Sequence, residues 1–326
     1  MTPEDADRIG PLRRLNLIMR FSYTLPFVLA SICGVAYGLR YSNDYLIAIL
    51  IPLDVLFLAM FVNFSNDYFD YVSGVDSEVE KERFAKLQES PVFKDNEMLK
   101  KIYWDGNQFE RGLITVEQGR MVMVALVVIS LVLAVPIVLH GGLLVIGLGL
   151  AGLLLAYFYT APPVNMGARG LGEVNVGISF FALVFFSHYV LSAVFSWEIL
   201  VLAAAVALAV GLMRVVDAMS GYESHLRHGE KDLAVRMGGR DQAVPVIKGI
   251  HAISFLLLAA MVLFHPVNAI LLLAIPLGLK SWKVMDAKEE LWYVRIAPQY
   301  FGYSLTVMVL FIVSLSVRTF LTSPIW

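Results

Sequence analysis

The run IAILIPLDVLFLAMFV, residues 47–62, passes without a break into NFSNDYFDYVSGVD, residues 63–76. An apolar segment of membrane character thus ends, within a few residues, in Asp67, Asp70 and Asp76, with Asn63 and Asn66 among them. On a helix, Asn63, Asn66, Asp67 and Asp70 stand at i, i+3, i+4 and i+7 and share one stripe. Gly74 would end that helix, and Asp76 would follow in the turn. Carboxylates at the end of a membrane helix are costly unless they have partners. Neighbouring hard oxygen donors suit Mg²⁺, which commonly bridges protein carboxylates to a phosphate. A solvated acidic helix end without a ligand is the plainer reading of the same spacing.

The rest of the chain has the same apolar character. Of 326 residues, 58% are hydrophobic and 16% are charged, against about 25% charged in soluble domains. A net charge of -2, with basic residues scattered between apolar segments, argues against nucleic-acid binding. The one cysteine, Cys33, excludes an internal disulfide. The first apolar run follows a basic leader with no small-residue cleavage site, so it reads as a retained span rather than a signal peptide.

A hydrocarbon core of ~30 Å takes about 20 apolar residues per helix. Nine segments qualify: 19–39, 45–66, 119–139, 142–160, 174–195, 198–216, 246–264, 267–282 and 298–321. The expected fold class is therefore an all-α integral membrane protein, one domain over 1–326. Short connections alternate with longer polar ones at 67–118, 161–173, 217–245 and 283–297, which places all the longer ones on one side. That side carries 23 of the 25 Lys and Arg, leaving Arg40 and Arg318 for the other. By the positive-inside rule the loop-rich face and the N-terminus are cytoplasmic, and an odd number of spans puts the C-terminus outside. A transporter needs polar access from both faces, whereas here the polar motifs crowd one. That favours an enzyme fed from the cytoplasm and the bilayer.

Two further clusters lie on the same side. YFYTAPPVNMGARGLGEVNVG, residues 157–177, brings Tyr157, Tyr159, Glu173 and Asn175 to the membrane boundary in a loop rich in proline and glycine. An aromatic belt around an interfacial loop, with Glu173 as a favourable helix-start charge, is the alternative reading. RVVDAMSGYESHLRHGEKDLAVRMGGR, residues 214–240, carries Asp217, Glu223, His225, Lys231, Asp232, Arg236 and Arg240. Its basic groups suit a phosphate, and a positive-inside loop explains them equally well. DSEVEKERFAKL, residues 76–87, reads as a short surface helix, and Thr115 as the cap of the third span. His188, inside the fifth span, reads as a hydrogen-bonded core histidine.

NDYFDYVSGVD (66–76) resembles the first aspartate-rich motif of the UbiA superfamily of intramembrane prenyltransferases, in the form typical of the branch that prenylates dihydroxynaphthoate in menaquinone synthesis. RFSYTLP (20–26), RGLIT (111–115), YTAPPVNMGARGLGEVNVG (159–177) and DLAVRMGGR (232–240) are similar to further stretches of that branch, in the expected order. The resemblance implies nine transmembrane helices around a central cavity capped by cytoplasmic loops. It also implies a polyprenyl diphosphate bound through Mg²⁺, and an aromatic acceptor such as dihydroxynaphthoate. Carried onto this sequence, Asn66, Asp67, Asp70 and Asp76 would serve metal and diphosphate, with Asp217 and Glu223 as the remaining metal candidates. Arg20, Arg111, Lys231 and Arg236 would grip phosphate. Asn63, Tyr159 and Glu173 would face the acceptor or the cation, and the catalytic set is Asp67, Asp70, Asn63, Tyr159 and Glu173.

The second aspartate motif departs from the pattern. Where N-x-x-x-D-x-x-x-D is expected, the chain has Asp217, Gly221 and His225, and Asp232 replaces a threonine. Asp217 and Glu223 are six residues apart, about 240° around a helix, and so do not share a face. There is also an insertion between Asp76 and Arg111. The alternative to catalysis is a chain without turnover that binds prenyl lipid or assembles with an active prenyltransferase as a second subunit.

Overall fold

The structure is a computed structural model that describes residues 10–73, 89, 107–161, 163–167, 169–219, 222–227, 229, 231–287 and 292–322. Among these the regular elements are all helical. They are α1 (Pro11–Met19), α2 (Phe21–Gly38), α3 (Tyr45–Ser73), α4 (Val116–Gly141), α5 (Leu143–Thr160) and α6 (Gly172–Ser192). Then come α7 (Trp197–Met219), α8 (Tyr222–Arg227), α9 (Leu233–Met237) and α10 (Arg240–Phe264). A 3₁₀ helix (Pro266–Ala274) runs into α11 (Ile275–Asp286), and α12 (Trp292–Thr322) follows.

Among the described residues seven stretches are long and apolar enough to cross a membrane: Tyr45–Val72, Val116–Gly141, Gly172–Ser192, Trp197–Met219, Arg240–Phe264, Pro266–Asp286 and Arg295–Leu321. Two more apolar helices, Tyr23–Gly38 and Leu143–Tyr159, are shorter. The apolar runs at 19–39 and 142–160 overstate these two, because run length does not fix helix ends. Arg20 breaks the first with a left-handed backbone (φ 48), and Gly142 starts the second at φ 68. α3 continues beyond its apolar run to Ser73, ending just before Gly74 as expected, so Asn63, Asn66, Asp67 and Asp70 do share one helix. The surface helix expected at 76–87 lies outside the described residues.

Packing explains which helices meet. α7 is the most buried of these seven stretches, with Leu202, Ala203, Ala205, Val206 and Ala209 fully buried, and it lies between α6, α10 and α12. α6 also packs on α2, and α3 packs on α2 and α4. Small residues let backbones approach where lipid supplies no hydrophobic drive. At Gly34 of α2 an added Cβ would lie 2.2 Å from the Val184 carbonyl oxygen of α6, and beside it Ser31 Oγ and Ser187 Oγ share a 3.0 Å hydrogen bond. Gly34→Ala should therefore destabilise the protein by about 1–3 kcal/mol, the usual cost of overpacking. Thermal unfolding in detergent checks this, with Gly147→Ala as the silent control because nothing lies within 4 Å of its added Cβ.

The start of α4 is fixed as expected. Thr115 Oγ1 accepts from the Gln118 N–H at 3.2 Å, and Gln118 Oε1 accepts from the Thr115 N–H at 3.1 Å, a reciprocal capping box. His188 is fully buried, hydrogen-bonded to Ser192, with its ring 5.1 Å from that of Tyr37.

Polar groups the apolar pattern concealed also sit inside the bundle. Ser130 donates to Asp54 between α4 and α3 at 2.5 Å. At the end of α7 away from Asp217, Arg318 Nη2 donates to Glu198 Oε1 at 2.5 Å, Asn268 Nδ2 donates to the same oxygen at 2.8 Å, and Tyr37 Oη donates to Oε2 at 3.1 Å. Arg318 is thus no loop charge: it is buried within α12 and ion-paired.

Candidate functional site

The end of α3 is where apolar helix meets polar chain, and its carboxylates are held by specific partners. Arg20 Nη1 donates to both oxygens of Asp67, at 2.7 and 2.8 Å, and Asp67 is buried. The left-handed backbone of Arg20, uncommon for a non-glycine residue, makes the corner between α1 and α2. The Arg20 guanidinium also lies over the Tyr23 ring, 4.2 Å from its centre. One turn along, Asn66 Nδ2 donates to Asp70 Oδ2 at 2.8 Å. Asn63, on the same stripe, has a buried Nδ2 with no hydrogen-bond partner among the described residues.

Arg111 belongs to a loop clipped over this helix end. Asn107 Nδ2 donates to the Asp67 carbonyl at 2.6 Å, and the Phe109 ring packs 5.6 Å from Phe64 and 5.7 Å from Tyr68. From below, Arg14 Nη2 donates to the Leu113 carbonyl at 2.8 Å. Phe64 and Tyr68 therefore serve as the loop's hydrophobic seat, while the opposite stripe of α3 carries the polar groups. Asp76 lies outside the described residues.

Tyr157 and Tyr159, at the end of α5, link this region to the second one. The Tyr157 ring packs 5.5 Å from Phe69 of α3, and Tyr159 has Arg214 of α7 6.0 Å from its ring centre. The loop after α5 folds back: the Gly167 N–H donates to the Tyr159 carbonyl at 2.9 Å. Glu173, in the first turn of α6, is buried, and its Oε2 has no hydrogen-bond partner among the described residues. Asn175 instead joins elements, donating to the Leu155 carbonyl at 2.9 Å.

On the remaining side, Arg214 Nη1 donates to Asp217 Oδ2 at 2.9 Å. His225 Nδ1 and Asp232 Oδ2 are 2.6 Å apart, and Asp232 Oδ1 accepts the Val235 N–H at 2.8 Å as the cap of α9. Arg236 Nη2 donates to the Arg169 carbonyl at 2.8 Å, tying α9 to the loop after α5. Gly170 makes that contact feasible: at φ 75, an added Cβ would lie 2.0 Å from the Lys231 carbonyl oxygen. Lys231 and Glu223 are exposed, and Gly221 lies outside the described residues. The structure thus joins Arg20 to Asp67 and Asn66 to Asp70, but it does not gather Asp217 and Glu223 into one set. Arg214 was not singled out from the sequence. Its signal was there in RVVD, an Arg and an Asp at i and i+3.

The Asp232 arrangement has a consequence in acid. Burial alone would raise this carboxyl; the His225 hydrogen bond, the Val235 N–H and the nearby positive charges outweigh it and hold the carboxyl below its usual range. A carboxyl lowered by folding stabilises above its unfolded value and loses that contribution as pH falls through the folded one. Amide exchange in residues 233–237 should therefore stay slow from neutral pH down to about 4, the ordinary Asp value, and speed up below it. Asp232→Asn should remove that acid step and raise exchange at neutral pH.

Comparisons with known proteins bear on the family and the fold. The chain is 27% identical over 263 residues to the 1,4-dihydroxy-2-naphthoate octaprenyltransferase of Haemophilus influenzae, covering 78% of this chain and 80% of that one. Its fold is similar to a UbiA homolog from Archaeoglobus fulgidus bound to DMAPP and Mg²⁺, at 17% identity and a TM-score of 0.62, over 93% of this chain and 99% of that one. The apo UbiA homolog from Aeropyrum pernix K1 matches at 15% identity with a TM-score of 0.60, over 92% and 98%. Residues 24–305, most of the length, match the UbiA prenyltransferase family, so this apolar helical chain is an integral membrane protein and belongs to that family.

Proposed function

We propose that this chain transfers a polyprenyl group from a polyprenyl diphosphate to an aromatic acceptor of the dihydroxynaphthoate type, for lipid quinone synthesis. The observation that carries the reading is the end of α3, where the buried Asp67 paired with Arg20 and the Asn66–Asp70 pair stand at the close of an apolar helix. In this reading the two shorter apolar helices also cross the bilayer. That gives one nine-span unit over 1–326, with N-terminus and site loops cytoplasmic and C-terminus outside.

Hard oxygen donors one turn apart on α3 fit Mg²⁺, which is commonly bound through one or two carboxylates plus substrate phosphates. Asp70 and Asn66 would hold it, with Asp76 as a further candidate, while Asp67, whose two oxygens both accept from Arg20, would hold that guanidinium in place; when bound, the metal would stabilise the leaving diphosphate. Arg20 fixes the Asp67 carboxylate, so that helix end is preorganised. Arg111, Lys231 and Arg236 are the cations directed at phosphate. The allylic C–O bond breaks with its electron pair leaving on the diphosphate. An electron-rich aromatic carbon then attacks the allylic carbon, and carbon dioxide leaves from the substituted position. Buried polar atoms without partners call for an explanation. Asn63 Nδ2 and Glu173 Oε2 suit the acceptor and the developing positive charge, with Tyr159 as the third candidate. The apolar bundle keeps water from the cation.

The test is a transfer assay in proteoliposomes with Mg²⁺, geranyl diphosphate and dihydroxynaphthoate. The expected product is the acceptor gaining a geranyl group and losing carbon dioxide, read by mass spectrometry. No product across a panel of hydroxylated aromatic acids would reject the reading. One observation favours a second reading, a lipid-binding or assembly subunit without turnover: Asp217 and Asp232 are already engaged by Arg214 and His225. Activity that appears only when a second prenyltransferase co-purifies would carry it.

A further inference from the structure

The side of the site formed by residues 214–240 has the wrong chemistry for a metal ion. Magnesium needs near-octahedral oxygen ligands, and position 221 is glycine, with no side chain to offer. Asp217 is engaged by Arg214 at 2.9 Å. Asp232 is 2% exposed and holds two partners at once, His225 and the Val235 N–H. A cation drawing on Asp232 would have to break its contact with His225 and uncap α9. Glu223 stands exposed on α8.

The same side is well supplied for an anion. Residues 214–240 contain five Arg and Lys against four Asp and Glu, and two of those acids are already matched by Arg214 and His225. Arg214 is the best placed of the cations. It sits in the last two turns of α7, with its guanidinium held by Asp217 and its Cζ over the Tyr159 ring, 6.0 Å from the ring centre. Its Nε–H is buried without a hydrogen-bond partner among the described residues. A guanidinium held by a carboxylate is a preorganised fork for phosphate oxygens, and a bidentate one is stronger than an ammonium contact.

We propose that Arg214 is a diphosphate-binding residue, that Asp217 is its positioning residue, and that the 214–240 side grips the diphosphate directly, with Lys231 assisting and no metal ion. The diphosphate is then clamped asymmetrically, by metal from α3 and by guanidinium from α7. This rests on the diphosphate reading above, but it is tested by binding alone.

The probe is inorganic pyrophosphate with Mn²⁺ in place of Mg²⁺, on the full-length protein in detergent. Bound manganese is counted by electron paramagnetic resonance and bound pyrophosphate by calorimetry. The expected result is one Mn²⁺ per bound pyrophosphate. Arg214→Gln should weaken pyrophosphate at least tenfold without changing that ratio, and Arg214→Lys should recover part of the loss. Two Mn²⁺ per pyrophosphate in the wild type overturns the inference while leaving the prenyltransferase reading intact, and needs no variant to fold. Wild-type affinity in a folded Arg214→Gln protein overturns it as well. No pyrophosphate binding at all overturns the diphosphate reading, and this inference with it.

Discussion

Asp70→Asn should lower prenyl transfer by about 10²–10³-fold, the usual loss when one group stabilising transition-state charge is removed, while leaving the thermal unfolding temperature unchanged. Asp70 lies on the polar stripe of α3, one turn past Asn66, which donates to its Oδ2 at 2.8 Å. Asparagine keeps the size of the side chain and an oxygen that can still accept from Asn66. It removes the negative charge that would hold a divalent cation against the leaving diphosphate, and the loss should appear in kcat at saturating substrate. Raising the Mg²⁺ concentration should recover part of the rate. Initial rates across a magnesium titration check this. The contrast with Asp67 is informative, because Asp67 is buried against Arg20. Asp67→Asn should cost both activity and stability, since it leaves the Arg20 guanidinium without its counter-charge.

Arg318→Met should destabilise the protein by about 3–5 kcal/mol, the range for breaking a buried ion pair by removing one partner. The side chains of Arg318 and Glu198 are 4% and 8% exposed, so solvent screens this pair little. Loss of Arg318 leaves Glu198 with Asn268 at 2.8 Å and Tyr37 at 3.1 Å, but without a positive charge. The Glu198→Leu, Arg318→Met double variant should be more stable than Arg318→Met alone, since neither charge is then left buried and unmatched. Chemical denaturation in mixed micelles measures both. Transfer activity per folded molecule should change little, because the pair sits at the end of α7 far from Asp217.

These two sites differ in how readable they were from sequence. The α3 stripe is local: Asn63, Asn66, Asp67 and Asp70 fall within eight residues, and helical periodicity alone aligns them. The Thr115 capping box is local too. Their partners are not. Arg20 reaches Asp67 across 47 positions, and Glu198 reaches Arg318 across 120. No spacing rule predicts pairs that only the packing of α1, α3, α7 and α12 brings together. Apolar patterning also averages over single polar residues, so Asp54 and Glu198 vanished into spans that scored as greasy. The apolar run 19–39 did not reveal the corner at Arg20, because a left-handed residue leaves no mark on hydropathy, whereas the break near Gly142 was legible from the runs on either side. Asp232 was visible only as a departure from a family pattern; its double role toward His225 and Val235 needed the fold of α8 against α9.

The central claim is that a prenyl diphosphate binds at the end of the bundle carrying Asp70 and Arg214. The most direct measurement is an experimental structure of the protein with geranyl thiolodiphosphate and Mn²⁺, using anomalous scattering to place the metal. The account predicts one manganese bridging the α3 carboxylates to the diphosphate, the Arg214 guanidinium on a phosphate oxygen, and the geranyl chain running into the apolar bundle. A diphosphate bound out of reach of both Asp70 and Arg214 would contradict it.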